Sequence, residues 1–146
     1  MTYVLNLSHV SLQRGDTQIL SDVSWSTRPR QHWVIVGPNG AGKTTLARVA
    51  SGRVSPNSGE VSVSDTDLAN ADPAEVATRI GLASAAVAAK IVPTQSVLDT
   101  VRSAAWGLSV AHDEEYEEVD DQRASALMEI FGVAHLAQRE FSTLSE

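Results

Sequence analysis

The 146-residue sequence contains no cysteine. Disulfide scaffolds, thiolate metal centres and cysteine nucleophiles are thereby excluded within it, and a reducing compartment such as the cytosol fits. No apolar run approaches the roughly 18 residues that span a bilayer. The opening MTYVLNLSHV lacks both a basic n-region and an apolar h-region, so no secretory signal is expected. Basic residues are outnumbered, 11 Lys and Arg against 18 Asp and Glu, giving a formal net charge of −7. That balance argues against a basic nucleic-acid-binding surface, and no nucleic-acid partner is expected. Aromatic residues make up only 5% of the chain, while 42% of it is hydrophobic. An acidic, cytoplasmic domain with one modest core is the expectation.

The charge is unevenly placed. Residues 1–73 are neutral, with basic and acidic residues balanced, and the excess acid falls in residues 74–146. Seven acids lie in the run DEEYEEVDD from Asp113 to Asp121, and outside it the chain is neutral. A solvated loop or helix face explains such a run more simply than a docking surface.

The first third reads as β. Apolar alternation over Tyr3 to Leu12 changes parity after Leu7, which predicts a bulge near Ser8. A turn at Arg14-Gly15-Asp16-Thr17 leads to a second strand with Ile19, Val23 and Trp25 on one face. Trp33-Val34-Ile35-Val36 then forms a continuous apolar run, as in a strand buried on both faces. A helix follows from about Lys43, with Leu46, Val49 and Ala50 on one side and Gly52 as its stop. Glu60 to Ser64 alternates as a strand, and Ile80 to Ala83 reads as another. Between them, Asp72-Pro73-Ala74-Glu75 has the cap, the first-turn proline and the capping-box acid of a helix start. Beyond residue 85 the pattern is helical, over Ser96 to Trp106 and Asp121 to Phe131, the latter ended by Gly132.

Residues 37–45 read GPNGAGKTT and satisfy G-x-x-x-x-G-K-[ST] through Gly37, Gly42, Lys43 and Thr44. Backbone N–H groups that wrap a phosphate chain need close approach and positive φ, which glycine allows. The following helix directs its positive end at the β-phosphate. Lys43 would serve the β- and γ-phosphates, Thr44 would supply a hydroxyl to Mg²⁺, and Thr45 a donor to the α-phosphate. Pro38, Asn39, Gly40 and Ala41 complete the cradle. By composition alone the pattern arises by chance in about one chain in 200 of this length. The apolar run before it and the helical pattern after it make a nucleoside triphosphate site the expectation.

GPNGAGKTTL, preceded by QILSDVSW and followed by SGRVSPNSGEVSV, resembles the ATP-binding subunits of ABC transporters. The resemblance runs through IGLAS and TQSVLDTV to VAHLAQREFSTLSE, essentially the whole chain. It implies an α/β P-loop NTPase fold: an antiparallel β part and phosphate-loop strand-helix core over 1–84, then a helical subdomain over 85–146. Leu144, Ser145 and Glu146 would open the family's signature motif, so the sequence is expected to be an N-terminal portion of a longer cassette. The resemblance implies ATP and Mg²⁺ as cofactors, a second cassette as dimer partner, and a membrane permease that holds the protein at the cytoplasmic face. The cargo would be a small ion or metal chelate.

The same comparison exposes departures. The family has an apolar strand ending in Asp, a catalytic Glu beside it and a switch His, and no four apolar residues followed by Asp-Glu occur here. The nearest, Val97-Leu98-Asp99, sits on an expected helix, and His9, His32, His112 and His135 read as structural or surface residues. The catalytic residues therefore stay unassigned. The aromatic that stacks on adenine is replaced by Arg14, whose guanidinium can also stack. Trp25 and Trp33 read as core, with Trp33 a minor alternative base platform. The family's Gln that meets Mg²⁺ and the attacking water falls at Ala85, and Gln95 lies too late to replace it. Arg30-Gln31 stands where Gly-Glu is usual. An ATP-binding remnant without hydrolysis and a small P-loop kinase are the competing readings.

Overall fold

Alternating residues and tight turns build the first half of the chain, and the computed structural model, which describes residues 3–105 and 116–144, shows them as an antiparallel sheet. Strand β1 (Leu5–Arg14) pairs with β2 (Thr17–Thr27) and β3 (Ser58–Val63), and β3 pairs with the short β4 (Thr66–Asp67), giving the order β2-β1-β3-β4. Leu7 faces Trp25 while Val10 faces Val23, so β1 carries one extra residue between these pairs. The bulge expected near Ser8 is there, with His9 at φ 52°. Gly59 lies against it: a Cβ on Gly59 would fall 2.4 Å from the His9 carbonyl oxygen, and its φ is +90°. Only glycine fits.

A second irregularity lies in β2, where Asp22 has φ 51° between the pairs Val10–Val23 and Leu12–Leu20. It resets the alternation. Leu20, rather than the expected Ile19, joins the buried cluster of Leu7, Val10, Leu12, Val49 and Val61, while Ile19, Val23 and Trp25 pack around it half-buried. Helix α1 (Lys43–Ala50) lays Val49 into this cluster with Leu46 and Ala50 beside it, as its spacing predicts.

Trp33-Val34-Ile35-Val36 departs most from expectation. It is not a strand, and Val34 and Val36 are 83% and 84% exposed. A strand buried on both faces requires flanking strands and covering layers, and no described strand pairs with this run. Ile80 to Ala83 likewise forms no strand. Helix α2 (Pro73–Arg79) starts as expected, the Asp72 carboxylate accepting the Ala74 N–H at 2.9 Å. Glu75 lies 3.6 Å from Arg79, an i,i+4 pair, instead of closing the capping box.

The chain divides into two compact units, Met1–Leu82 and Ala83–Glu146. The second holds α3 (Ala85–Ala88), α4 (Val97–Ala104), α5 (Glu118–Ile130) and two 3₁₀ turns, Ala134–Leu136 and Phe141–Thr143. Val97, Ser103, Ala124 and Met128 are buried within it. Arg102 of α4 reaches Asp121 of α5 at 2.6 Å and Asp99 at 3.1 Å, with Tyr116 5.5 Å from its guanidinium. The described part of the acidic run thus starts a helix: Glu117 and Asp120 form a capping box and Asp121 holds Arg102. Trp106, His112, Asp113 to Glu115, Ser145 and Glu146 lie outside the described residues.

Candidate nucleotide-binding site

The site is built where the chain passes from extended backbone into α1. Gly40 and Gly42 have φ of 82° and 87°, which lets the loop turn its backbone inward. Gly42 is the N-cap of α1, and the first turn of that helix carries no acidic side chain. No carboxylate of that turn therefore competes for its positive end. Asn39, Gly40, Ala41, Gly42, Lys43, Thr44 and Thr45, with Ile19 of β2, line a cavity of about 390 Å³. Lys43 donates through Nζ to the carbonyl oxygens of Gly37 at 2.8 Å and Pro38 at 2.7 Å. An ammonium has three donors, so this arrangement fixes the charge at the loop and leaves one for a ligand oxygen. Gly37 and Pro38 thus act by holding Lys43, while the other loop residues form the cavity wall. Cavity volume, backbone donors, a helix N-terminus and one cation suit a polyphosphate.

Ile19 is the residue that sequence reasoning missed as a site element. Its apolar, alternating context marked it as core, and only the close approach of β2 to the loop places it at the cavity. Arg14 is exposed at the end of β1, outside the cavity wall. Trp25 and Trp33 meet edge to face with centroids 5.8 Å apart, the half-buried Trp25 against an exposed Trp33. None of the described histidines lines the cavity: His9 bonds Asp22 through Nδ1 at 2.7 Å, and His32 and His135 are exposed. No cluster of three metal-ligating side chains occurs among the described residues.

In the second unit, Ala85 is the first residue of α3, capped by Ser84. Its methyl group offers neither a ligand nor a hydrogen bond at the family's Gln position. Gln95 is buried, and its carbonyl accepts the Phe141 N–H at 2.9 Å. Leu144 follows the second 3₁₀ turn, its N–H donating to Phe141.

The family model for ABC transporters matches residues 20–146. The chain is 34% identical over 144 residues to an uncharacterized ABC transporter ATP-binding protein, YlmA, of Bacillus subtilis (strain 168), covering 98% of this chain and 54% of that protein. It is 35% identical over 144 residues to the hemin import ATP-binding protein HmuV of Thermobifida fusca (strain YX), covering 99% of this chain and 49% of HmuV. The chain spans about half the length of the curated relatives it matches. Its fold is similar to an ATP-binding cassette solved as a dimer in a post-hydrolysis state with ADP and Pi, at TM-score 0.76 and 19% identity, covering 97% of this chain and 63% of that one. These matches do not favour the small-kinase alternative. With a P-loop NTPase fold and a match across most of its length, the chain belongs to the ABC transporter family of ATP-binding cassettes.

Proposed function

We propose that this chain binds MgATP at residues 37–45 as the nucleotide-binding half of an ATP-hydrolysing transport cassette. One observation carries the reading: Lys43 is held by the carbonyls of Gly37 and Pro38 at the wall of an open cavity of about 390 Å³ lined by Asn39 to Thr45 and Ile19. The loop amides and the α1 N-terminus bind the β-phosphate, Lys43 serves the β- and γ-phosphates through its charge and its remaining donor, and Thr45 donates to the α-phosphate. Thr44, in the first turn of α1, provides the hydroxyl suited to Mg²⁺. A cation held there would supply positive charge to the phosphate chain. Arg14 stacks on adenine through its guanidinium plane.

Residues 1–84 form the nucleotide-binding core and 85–146 the helical subdomain, in which Leu144, Ser145 and Glu146 begin the signature motif. In the assembled protein that motif closes on the phosphate loop of a second cassette, and a permease at the cytoplasmic face of the membrane takes up the motion. No described helix is long and apolar enough to cross a membrane. Hemin import and molybdate/tungstate import are the roles named for two relatives, and the proposed cargo is a small ion or metal chelate.

The test is MgATP binding by Lys43→Ala, measured by calorimetry. Losing the cation should lower affinity by roughly 10- to 100-fold, since the charge and its one free donor to phosphate disappear. Unchanged affinity would remove the phosphate-loop reading.

A further inference from the structure

The segment leading to Leu144 is held along its length by one short stretch of chain. Val97 N–H donates to the Arg139 carbonyl and Leu98 N–H to that of Ala137, both at 3.0 Å. Phe141 N–H donates to Gln95 and Ser142 N–H to Pro93, both at 2.9 Å, and Ser96 and Glu140 form an isolated antiparallel bridge. Residues 93–98 and 137–142 are thus strapped together across the start of α4. The strap stops at Ser142. The step from there to Leu144 is held by the turn's own backbone, Thr143 N–H donating to Glu140 at 3.0 Å and Leu144 N–H to Phe141 at 3.1 Å, and by a side chain: Arg139 donates through Nη2 to the Thr143 carbonyl at 2.7 Å and through Nε to the Thr143 hydroxyl at 3.2 Å. That hydroxyl in turn donates to the Glu140 carbonyl at 2.7 Å, closing the 3₁₀ turn over Phe141–Thr143.

We propose that Arg139 is a positioning residue for the segment that begins at Leu144. Its planar fork meets two acceptors of one residue, a geometry that a lysine ammonium meets only as a single point charge. The backbone of Arg139 is fixed by the strap and its side chain fixes Thr143, so the strand-like contact with residues 93–98 sets the direction in which the chain leaves Thr143. Arg139 acts on the motif offered to a second cassette, and the proposal rests on the reading of Leu144, Ser145 and Glu146 given above.

The experiment uses the natural protein that carries this sequence, with kcat, KM and separately measured MgATP affinity for Arg139→Ala, Arg139→Lys and Thr143→Val. Arg139→Ala should lower kcat about tenfold with MgATP affinity unchanged, because the loss falls on closure against the second cassette. Arg139→Lys should recover part of that loss, and Thr143→Val, which keeps the carbonyl acceptor, should lose two- to fivefold. If Arg139→Ala does not fold, the other two variants decide. Wild-type kcat in all folded variants, or equal losses in kcat and MgATP affinity, would overturn the positioning role while leaving the proposed function in place. Absence of MgATP binding and turnover in the wild-type protein would overturn the proposed function, and the role of Arg139 with it.

Discussion

The carbonyl oxygen of Ile19 lies 2.8 Å from the point a Cβ on Gly42 would occupy, with the Leu20 side chain 3.2 Å away. Strand β2 and the phosphate loop therefore touch backbone to backbone at the residue that caps α1. Gly42→Ala meets both a fixed carbonyl and a φ of +87°. We expect it to cost more than about 2 kcal/mol and to lower MgATP affinity at least tenfold. Gly40, at φ +82°, has nothing within 4 Å of its built Cβ. Gly40→Ala should cost only the backbone strain, about 1 kcal/mol. Parallel unfolding and nucleotide titrations compare the two, and equal effects would show that contact with β2 is unimportant.

Arg14 sits at the turn between β1 and β2, exposed and five residues before Ile19. If its guanidinium stacks on adenine, Arg14→Ala should weaken ATP about three- to fivefold and inorganic triphosphate not at all. Competition binding of the two ligands separates these outcomes. A matched loss for both would place Arg14 outside the base site.

In the helical unit, Arg102 and Asp121 join α4 to α5 at 2.6 Å, with side chains 20% and 47% exposed. Partial solvent screening limits the pair. A double-mutant cycle of Arg102→Ala and Asp121→Asn should return a coupling of about 0.5–1 kcal/mol, falling as salt is raised. A coupling indistinguishable from zero would assign the α4–α5 contact to apolar packing alone.

Leu7 is 2% exposed at the centre of the sheet cluster, between Val10, Leu20, Val49 and Val61. Leu7→Ala should destabilise by about 3 kcal/mol through lost burial and an unfilled cavity. Denaturant unfolding measures it, and a cost below about 1 kcal/mol would mean the cluster collapses around the gap. Leu7 does not line the cavity, so MgATP affinity in the folded variant should stay within about twofold.

Much of the local structure could be read from residue spacing because the forces that set it are local. The parity change after Leu7 marked the bulge at His9, Asp72-Pro73 marked the start of α2, and Leu46, Val49 and Ala50 marked the buried face of α1. The second bulge, at Asp22, left no comparable mark. Asp tolerates positive φ, but nothing in the alternation around it distinguishes Ile19 from Leu20 as the core residue. Trp33 to Val36 shows the opposite failure: the apolar run was plain, but forming a strand depends on neighbouring strands that local sequence cannot supply.

By itself the sequence marked GPNGAGKTT as a glycine loop leading into a helix, and the structure has that loop, with Gly40 and Gly42 at positive φ before α1. It likewise marked the Asp72 cap of α2, the turn of the antiparallel hairpin and, through GPNGAGKTT with its flanking elements, the family. Tertiary structure decided the rest. Only folding brings Ile19 to the cavity wall, places Gly37 and Pro38 as carbonyl acceptors for Lys43, and straps residues 93–98 to the approach to Leu144. Those contacts join residues far apart in the chain or depend on backbone carbonyls, and carbonyls are the same in every residue, so no pattern of side chains announces them.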